Sequence, residues 1–288
     1  MELLFQIILN GLIWGSIYAL IAIGLSLIWG VMDIVNFAHG DFLVVGMYVA
    51  YSVFAATQLD PLIAAPIAGI VLFVVGMLTY YLIIRRVEGA SLLIQIVATF
   101  AVGLFLKNLM QFIFKTDYLL IKDEQQSFFS GSVTLFGADI NSAQLATAVI
   151  SIIVAGIFFV FVYNTRTGRS MLAVSENPYA AKLMGINITK INVIAWGLGA
   201  AIVGISGALL SKFYYIFPTA GAHFGLLSFI IVAMGGFKSM WGALVAGITV
   251  GVVEALASFA SNSSLKVAFV FLVYIVVVLI RPKGFLGK

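Results

Sequence analysis

The sequence has no cysteine, only two histidines and very little charge. Charged residues make up 9% of its 288 residues and hydrophobic residues 63%, with a mean hydropathy of +1.17. The lack of cysteine excludes a disulfide framework, a thiolate zinc site, an iron–sulfur cluster and a catalytic thiol. Soluble domains carry about 25% charged residues, so most of this chain must lie in lipid. The net charge of +4 requires no nucleic-acid partner, because basic residues also accumulate in the cytoplasmic loops of membrane proteins.

Long uncharged runs alternate with short charged segments along the chain. A helix needs roughly 20 apolar residues to cross a hydrocarbon layer of about 30 Å. The first run has no basic residue before it, which predicts a retained span and not a cleaved signal peptide. We expect an all-α, polytopic membrane helix bundle of eight or nine spans, forming one domain over residues 1–288. The runs, one of them interrupted by Glu254, are 3–32, 42–59, 61–84, 89–106, 140–165, 191–211, 213–237, 239–265 and 267–280.

The distribution of basic residues predicts the orientation. They concentrate around residues 85–86, in the segment 166–190 and after residue 280, so these three regions should face the cytoplasm, together with the C-terminus. The segment 107–139 mixes both signs of charge, including Lys122, Asp123 and Glu124, which predicts the main outer loop. Three spans before Arg85 would place the N-terminus outside. A fourth, partial crossing would place it inside.

A polar segment, Asp33 to Asp41, separates the first two apolar runs. The run before it exceeds one span, so the segment could lie below the membrane surface, where irregular backbone persists only against protein or a water-filled cavity. A plain aqueous connection is the alternative. The nearest other histidine is His223, far along the chain, so a metal site is not expected. The candidate translocation-path residues are Asn36, Phe37, His39, Gly40 and Asp41.

The basic segment 166–190 has the pattern of a short capped helix. Asn177 suits the N-cap, Pro178 the first helical position and Gly185 a left-handed stop. Ala180, Leu183 and Met184 would share an apolar face, with Lys182 pointing elsewhere. Such a helix could rest on the bilayer or bind in a groove of a cytoplasmic partner.

Two further patterns lie in the second half of the chain. Glu254 is an acid inside an apolar run, which suggests a functional role unless it pairs with Lys266 or forms a buried hydrogen bond. The Gly-xxx-Gly pairs at 11 and 15, 221 and 225, and 247 and 251 predict close helix packing, or hinges where they lie near a polar break.

Catalytic motifs are missing from the sequence. It contains no G-x-x-x-x-G-K-[ST] phosphate loop, since Phe237 precedes Lys238 where that motif has glycine, and no H-E-x-x-H or G-x-S-x-G. We therefore expect no catalytic residues, no metal site and no cofactor in this chain.

Several stretches resemble the permease subunits of branched-chain amino acid ABC importers, of the LivH-like type. They are ALIAIGLSLIWGVMDIVNFAHGD (19–41), TGRSMLAVSENPYAAKLMG (167–185), FGLLSFIIVAMGG (224–236) and RPKG (281–284). The resemblance implies a cell-membrane subunit for branched-chain or related small amino acids, although relatives also handle urea or short amides. It implies as partners a second permease (LivM-like or a second copy), two cytoplasmic ATPases that hold ATP and Mg, an extracellular solute-binding protein and membrane lipid.

The same resemblance implies that the segment around the predicted short helix is the coupling helix that contacts an ATPase. Its residues here are Glu176, Asn177, Pro178, Ala180, Ala181, Leu183, Met184 and Gly185. A stand-alone secondary transporter or channel is the rival hypothesis, with Asp33, His39, Asp41 and Glu254 as an ion or proton pathway.

Overall fold

The computed structural model describes residues 2–121, 131–135, 138–260 and 265–287, and these residues are mostly helical. The predicted outer-loop residues 122–130 and 136–137, among them Lys122, Asp123 and Glu124, lie outside the described residues. The helices are α1 (Glu2–Met32), α2 (His39–Thr57), α3 (Pro61–Thr79), α4 (Arg85–Val87), α5 (Leu92–Phe114), α6 (Ser142–Asn164), α7 (Arg166–Glu176), α8 (Pro178–Leu183), α9 (Ile188–Leu210), α10 (Ala220–Gly235), α11 (Met240–Ala260) and α12 (Lys266–Ile280), with a π-helical turn (Tyr80–Ile84) joining α3 to α4 and a hairpin of β1 (Ser132–Leu135) and β2 (Ala138–Asn141) before α6.

The helix lengths fit the predicted membrane bundle. Within the described residues, seven helical segments are long and apolar enough to cross a membrane, and α10 and α12 are shorter apolar helices. Eight or nine spans therefore agree with the structure. Two boundaries differ clearly from the sequence prediction. Helix α5 continues through Lys107 to Phe114, and α10 begins only at Ala220, although the uncharged run starts at residue 213. The hairpin, in which Ser132 pairs with Asn141, is a small β element that the all-α prediction did not include.

The basic segments lie together at one end of the bundle, which we call the basic end. Asn192, near the start of α9, donates a hydrogen bond to Glu88, which follows Arg85 and Arg86. The backbone N–H of Phe285 donates to the carbonyl of Met234 at 2.8 Å, so the C-terminal segment lies beside the end of α10. The start of α1 lies at the opposite end, where the Gln6 side chain donates to the carbonyl of Asp139 in the hairpin.

Glycines let α1 and α11 pack backbone against backbone. A Cβ atom at Gly11 would lie 2.7 Å from the Val252 Cα, and one at Gly15 would lie 2.8 Å from the Ile248 Cα. Cβ atoms at Gly247 and Gly251 would overlap the backbone of α1 in turn. The prediction of close packing at these two Gly-xxx-Gly pairs is confirmed.

Two helices form the centre of the bundle. In the most apolar 18-residue stretch of α1, 89% is buried, and in that of α9, 72% is buried. The corresponding stretch of α5 is only 22% buried. Helix α9 packs on α1, α2 and α3, and Trp196 at its middle is fully buried. The exposed faces of the outer helices are apolar, which suits contact with lipid or with another membrane chain.

A buried ion pair fixes the opposite end of α9 to the start of α3. The Lys212 Nζ atom lies 2.8 Å from Asp60 Oδ2, and both side chains are 6% exposed. Asp60 also caps α3, because its Oδ1 accepts a hydrogen bond from the backbone N–H of Leu62 at 2.9 Å. A buried pair survives only when its geometry compensates for lost hydration.

Candidate functional site

The segment between α1 and α2 turns back into the bundle. Asp33 has a positive φ of 54°, uncommon outside glycine, and its exposed carboxylate pairs with Lys238 at 2.9 Å. Asn36 and His39 are 1% and 0% exposed. The segment is therefore no plain aqueous connection, and α2 begins in the interior.

Hydrogen bonds to side chains replace regular secondary structure in this segment. The Asn36 Oδ1 atom accepts from the backbone N–H of Ala38 at 3.1 Å. The Thr99 hydroxyl of α5 donates to the Val35 carbonyl at 3.0 Å and accepts from the Phe37 N–H at 3.3 Å. Buried backbone groups need such partners, so Thr99 determines the course of the chain at this break.

The start of α2 meets the start of α10. A Cβ atom at Gly40 would overlap the carbonyl group of Gly221, and one at Gly221 would lie 2.7 Å from the Gly40 carbonyl oxygen. Only glycine at both positions allows this approach. The Gly221–Gly225 pair therefore packs against a helix break, where a hinge was the alternative expectation.

A cleft of about 350 Å³ opens on the side of the bundle next to this break, and we call it the side cleft. The Phe37 ring packs 5.0 Å from the Phe229 ring on its wall. Its charged groups are Asp41 of α2 and Lys107 of α5, which interact electrostatically. The lining residues are Phe37, Asp41, Phe100, Gly103, Leu104, Lys107, Thr219, Gly221, Ala222, Gly225, Leu226 and Phe229.

The structure divides the predicted path residues into two groups. Phe37 and Asp41 line the side cleft, whereas Asn36 and His39 are buried behind it and Gly40 allows the helix contact. Sequence reasoning missed Lys107, Phe100 and Thr99. Lys107 carried a usable signal, a cation that closes an apolar run. Thr99 carried none, because its partners are about 60 residues away along the chain.

No metal site is formed among the residues that the structure describes, since they contain no group of three His, Asp or Glu side chains in ligating range. His39, the first residue of α2, contacts the Ile21 carbonyl of α1, whereas His223 lines a different cavity with Glu254. The four residues of the rival ion pathway are also apart: Asp33 is on the surface, His39 is in the core, and Asp41 and Glu254 line separate cavities.

Glu254 pairs with Lys266, the alternative that the sequence left open. The Lys266 Nζ atom lies 2.6 Å from Glu254 Oε1. The carboxylate side chain is 8% exposed and the lysine side chain 34%. The pair joins the second half of α11 to the first residue of α12 at the end opposite the basic end.

The short helix of the basic segment has the predicted caps. Asn177 Oδ1 accepts from the Ala180 N–H at 3.0 Å, Pro178 is the first residue of α8, and Gly185 has a φ of +81°. A further helix, α7, precedes it and was not predicted.

The two sides of α8 differ in exposure. Ala181 is 4% exposed and faces the bundle. Tyr179, Leu183 and Met184 are 74%, 71% and 83% exposed. Lys182, Ala180, Asn177 and Glu176 are exposed as well. The basic end therefore presents a small apolar surface on a capped helix that contacts the bundle through Ala181.

Comparison with known proteins gives a consistent result. Residues 7–279 match the model of a family described as branched-chain amino acid transport system / permease component. The high-affinity branched-chain amino acid transport system permease protein LivH of Salmonella typhimurium (strain LT2) is 30% identical over 293 residues, covering 98% of this chain and 95% of that protein. The corresponding protein BraD of Pseudomonas aeruginosa is 28% identical with the same coverage of both chains.

A more distant similarity covers only part of the chain. The fructose import permease protein FrcC of Rhizobium meliloti is 30% identical over 111 residues, which cover 36% of this chain and 31% of that protein. No solved structure matches the chain significantly.

Proposed function

The chain belongs to the branched-chain amino acid permease family, as a multi-pass membrane transport subunit and not an enzyme, and we propose that it serves an ATP-driven importer of branched-chain or related small amino acids. The observation that carries the proposal is the exposed apolar face of α8 at the basic end. The substrate class rests on the relatives that match over nearly the full length, LivH and BraD, which are named for branched-chain amino acids. The partial similarity to a fructose permease adds nothing on the substrate.

Helix α8 is suited to couple this chain to an ATPase. Six residues cannot form a stable isolated helix, so its cap and its contact through Ala181 hold it in place. Tyr179, Leu183 and Met184 then present an aromatic and two flexible apolar side chains that fit a hydrophobic groove. Each of two ATPase partners would hold ATP and Mg, and nucleotide-driven movement of that groove would displace α8.

Membrane orientation follows from the basic end. Short loops rich in Lys and Arg stay in the cytoplasm. With α1, α2 and α3 before Arg85, the N-terminus would lie outside and the C-terminus in the cytoplasm of a cell whose inner membrane holds the chain. The segment 107–139, of which α5 occupies the first part, would then face an extracellular solute-binding protein with its hairpin.

The side cleft would form half of the translocation path. Phe37, Phe100 and Leu104 line it and are 40%, 55% and 42% exposed, more than a finished pathway through one bundle would allow. A second permease, LivM-like or another copy of this chain, would cover the cleft and complete the path.

The test is gentle extraction of the tagged chain from its native membrane, followed by mass spectrometry of the bound proteins. We expect two ATPase chains and one more permease. The variant Leu183→Asp/Met184→Asp should lose the ATPases and retain the permease, because the charges oppose burial in an apolar groove. Thr189→Asp is the matched control, since it adds a carboxylate at an exposed position of the same end. Retention of both ATPases by the double variant would refute the coupling role of α8.

Uptake by the purified chain alone would contradict the importer proposal as a whole. Liposomes containing only this chain should show no leucine uptake under a proton or sodium gradient. Gradient-driven uptake without an ATPase would instead support a secondary transporter.

A further inference from the structure

A second cavity, of about 470 Å³, opens at the end opposite the basic end, and we call it the end cavity. It lies among α1, α10, α11 and α12, far along the bundle from α8. Its volume lies in the range of small-molecule sites. Among its lining residues, Glu254 and Lys266 carry the charges, Trp14, Tyr214 and Phe224 form an aromatic side, and Asn10 adds an amide.

The ion pair in the end cavity is asymmetric. Glu254 is nearly buried on α11, so its short side chain has little room to move. Lys266 is one-third exposed, at the first residue of α12, and has a long flexible side chain. The carboxylate can therefore stay in place while the ammonium group moves toward the cavity opening.

We propose that the end cavity binds the zwitterion of a small apolar amino acid, whose ammonium group replaces that of Lys266 on Glu254 and whose carboxylate pairs with the displaced Lys266. This inference rests on the proposed transport of amino acids. The exchange changes one ion pair into two and leaves the cavity electrically neutral. A ligand with only an amine or only a carboxylate leaves one charge without a partner, which is costly in a partly dehydrated site.

The aromatic side of the cavity suits an aliphatic side chain. Trp14 and Tyr214 pack edge to face with ring centroids 6.3 Å apart, and Tyr214 packs on Phe224 at 5.3 Å. These rings hold one another in place and form a preformed apolar wall near the ion pair. A ligand with opposite charges at one end and a branched aliphatic group at the other matches this arrangement.

Direct binding to the full chain in lipid nanodiscs tests the proposal, with radiolabelled L-leucine as the probe. Unlabelled L-leucine should displace the label, whereas isopentylamine and 4-methylpentanoate, which keep the side chain and only one charge each, should compete at least about tenfold more weakly. Equal competition by either analogue would overturn the zwitterion assignment. So would the absence of leucine binding at millimolar concentration.

Three variants separate the two charges. Lys266→Met should bind isopentylamine better than leucine, since only Glu254 remains, and Glu254→Gln should favour 4-methylpentanoate. The double variant Glu254→Gln/Lys266→Met should bind leucine at least about tenfold more weakly while keeping its melting temperature, because the neutral side chains fill the same space. Leucine binding by the double variant at the wild-type affinity would refute the proposal.

The matched control is Asp33→Asn/Lys238→Met, which removes an ion pair of similar length at the basic end. It should leave leucine binding unchanged. Uptake in vesicles holding all importer components distinguishes a failure of the end-cavity site from a failure of the proposed importer function. Leucine binding at the wild-type affinity by the Glu254/Lys266 double variant, with ATP-driven uptake retained, would overturn the end-cavity site alone, whereas no leucine uptake by the wild-type assembly would overturn the proposed function.

Discussion

The His39 Nε2 atom lies 2.9 Å from the backbone carbonyl oxygen of Ile21, in the middle of α1. A carbonyl oxygen only accepts hydrogen bonds, so the imidazole must carry its proton on Nε2. The contact places the first residue of α2 at the level of the centre of α1. The His39 side chain thus fixes how deeply the segment between α1 and α2 enters the bundle.

Replacing His39 by phenylalanine removes this donor while keeping a ring of similar shape. We expect a loss of about 1 kcal/mol in unfolding free energy, the net worth of one hydrogen bond, and a melting temperature lower by a few degrees. His39→Gln, which retains an N–H donor, should recover part of the loss. Tryptophan fluorescence during heating measures both. A His39→Phe variant as stable as the wild type would show that the bond contributes nothing.

Alanine at Gly40 or at Gly221 should separate the starts of α2 and α10. The added Cβ meets backbone, which cannot rotate away, so overpacking should cost about 1–3 kcal/mol and lower the melting temperature. Gly156→Ala is the control, because Gly156 lies in α6 with open space around its Cβ direction. It should be neutral or stabilising by up to about 1 kcal/mol. Equal stability of all three variants would contradict the close approach.

Thr99→Val should loosen the segment 35–37 next to the side cleft. Valine has nearly the same size as threonine but lacks the hydroxyl, so the Val35 carbonyl loses its donor and the Phe37 N–H loses its acceptor. Each buried backbone group left unpaired costs about 1–3 kcal/mol. Thr99→Ser keeps the hydroxyl and should stay close to the wild type. Melting temperature and leucine uptake should fall together in the valine variant. Unchanged values for both would remove the positioning role of Thr99.

The Asp60–Lys212 pair should show strong coupling in a double-mutant cycle. Lys212→Met deprives a buried carboxylate of its ammonium partner, which typically costs about 3–5 kcal/mol, whereas Asp60→Asn/Lys212→Met should cost less because no lone charge remains. The exposed Asp33–Lys238 pair is the reference, and Lys238→Met should change stability by no more than about 1 kcal/mol. Additive effects of the two substitutions at 60 and 212 would argue against a buried pair.

Asn177→Ala should unfold α8 locally. An N-cap contributes about 0.5–2 kcal/mol, a large share of what stabilises a six-residue helix. Amide hydrogen exchange over residues 179–183 should therefore accelerate. The Asn187 cap of α9 provides the comparison, because a 23-residue helix packed in the core should lose little protection after Asn187→Ala. Similar exchange in the two variants would contradict this dependence on the cap.

Features that depend on neighbouring residues could be predicted from the sequence. The cap at Asn177, the proline at 178 and the left-handed Gly185 act within one helical turn, so their types suffice. The membrane spans could be predicted as well, because the length of an uncharged run depends only on neighbouring residues. The end of α5 was predicted too early, because Lys107 lines the side cleft with Asp41 and the helix continues past it.

Features that depend on distant residues could not be predicted. Thr99 and Val35 are 64 residues apart, and Lys212 and Asp60 are 152 apart. Nothing local distinguishes Thr99 from other helical threonines that bond to their own helix. The sequence suggested His39 and Asn36 as path residues because they are polar in an apolar region, yet the structure uses them inside the fold. Polarity alone does not distinguish a side chain that faces a cleft from one that forms hydrogen bonds with backbone groups inside the fold.

The glycine contact between α1 and α11 has a genetic consequence. No amino acid has a smaller side chain than glycine, so every missense change at Gly11, Gly15, Gly247 or Gly251 adds atoms where backbone already lies. Among the functional members of a library of random point mutants, substitutions should therefore be absent at two positions in each helix, four residues apart and at matching depths in the membrane. The surviving sequences would trace the line along which the two helices touch.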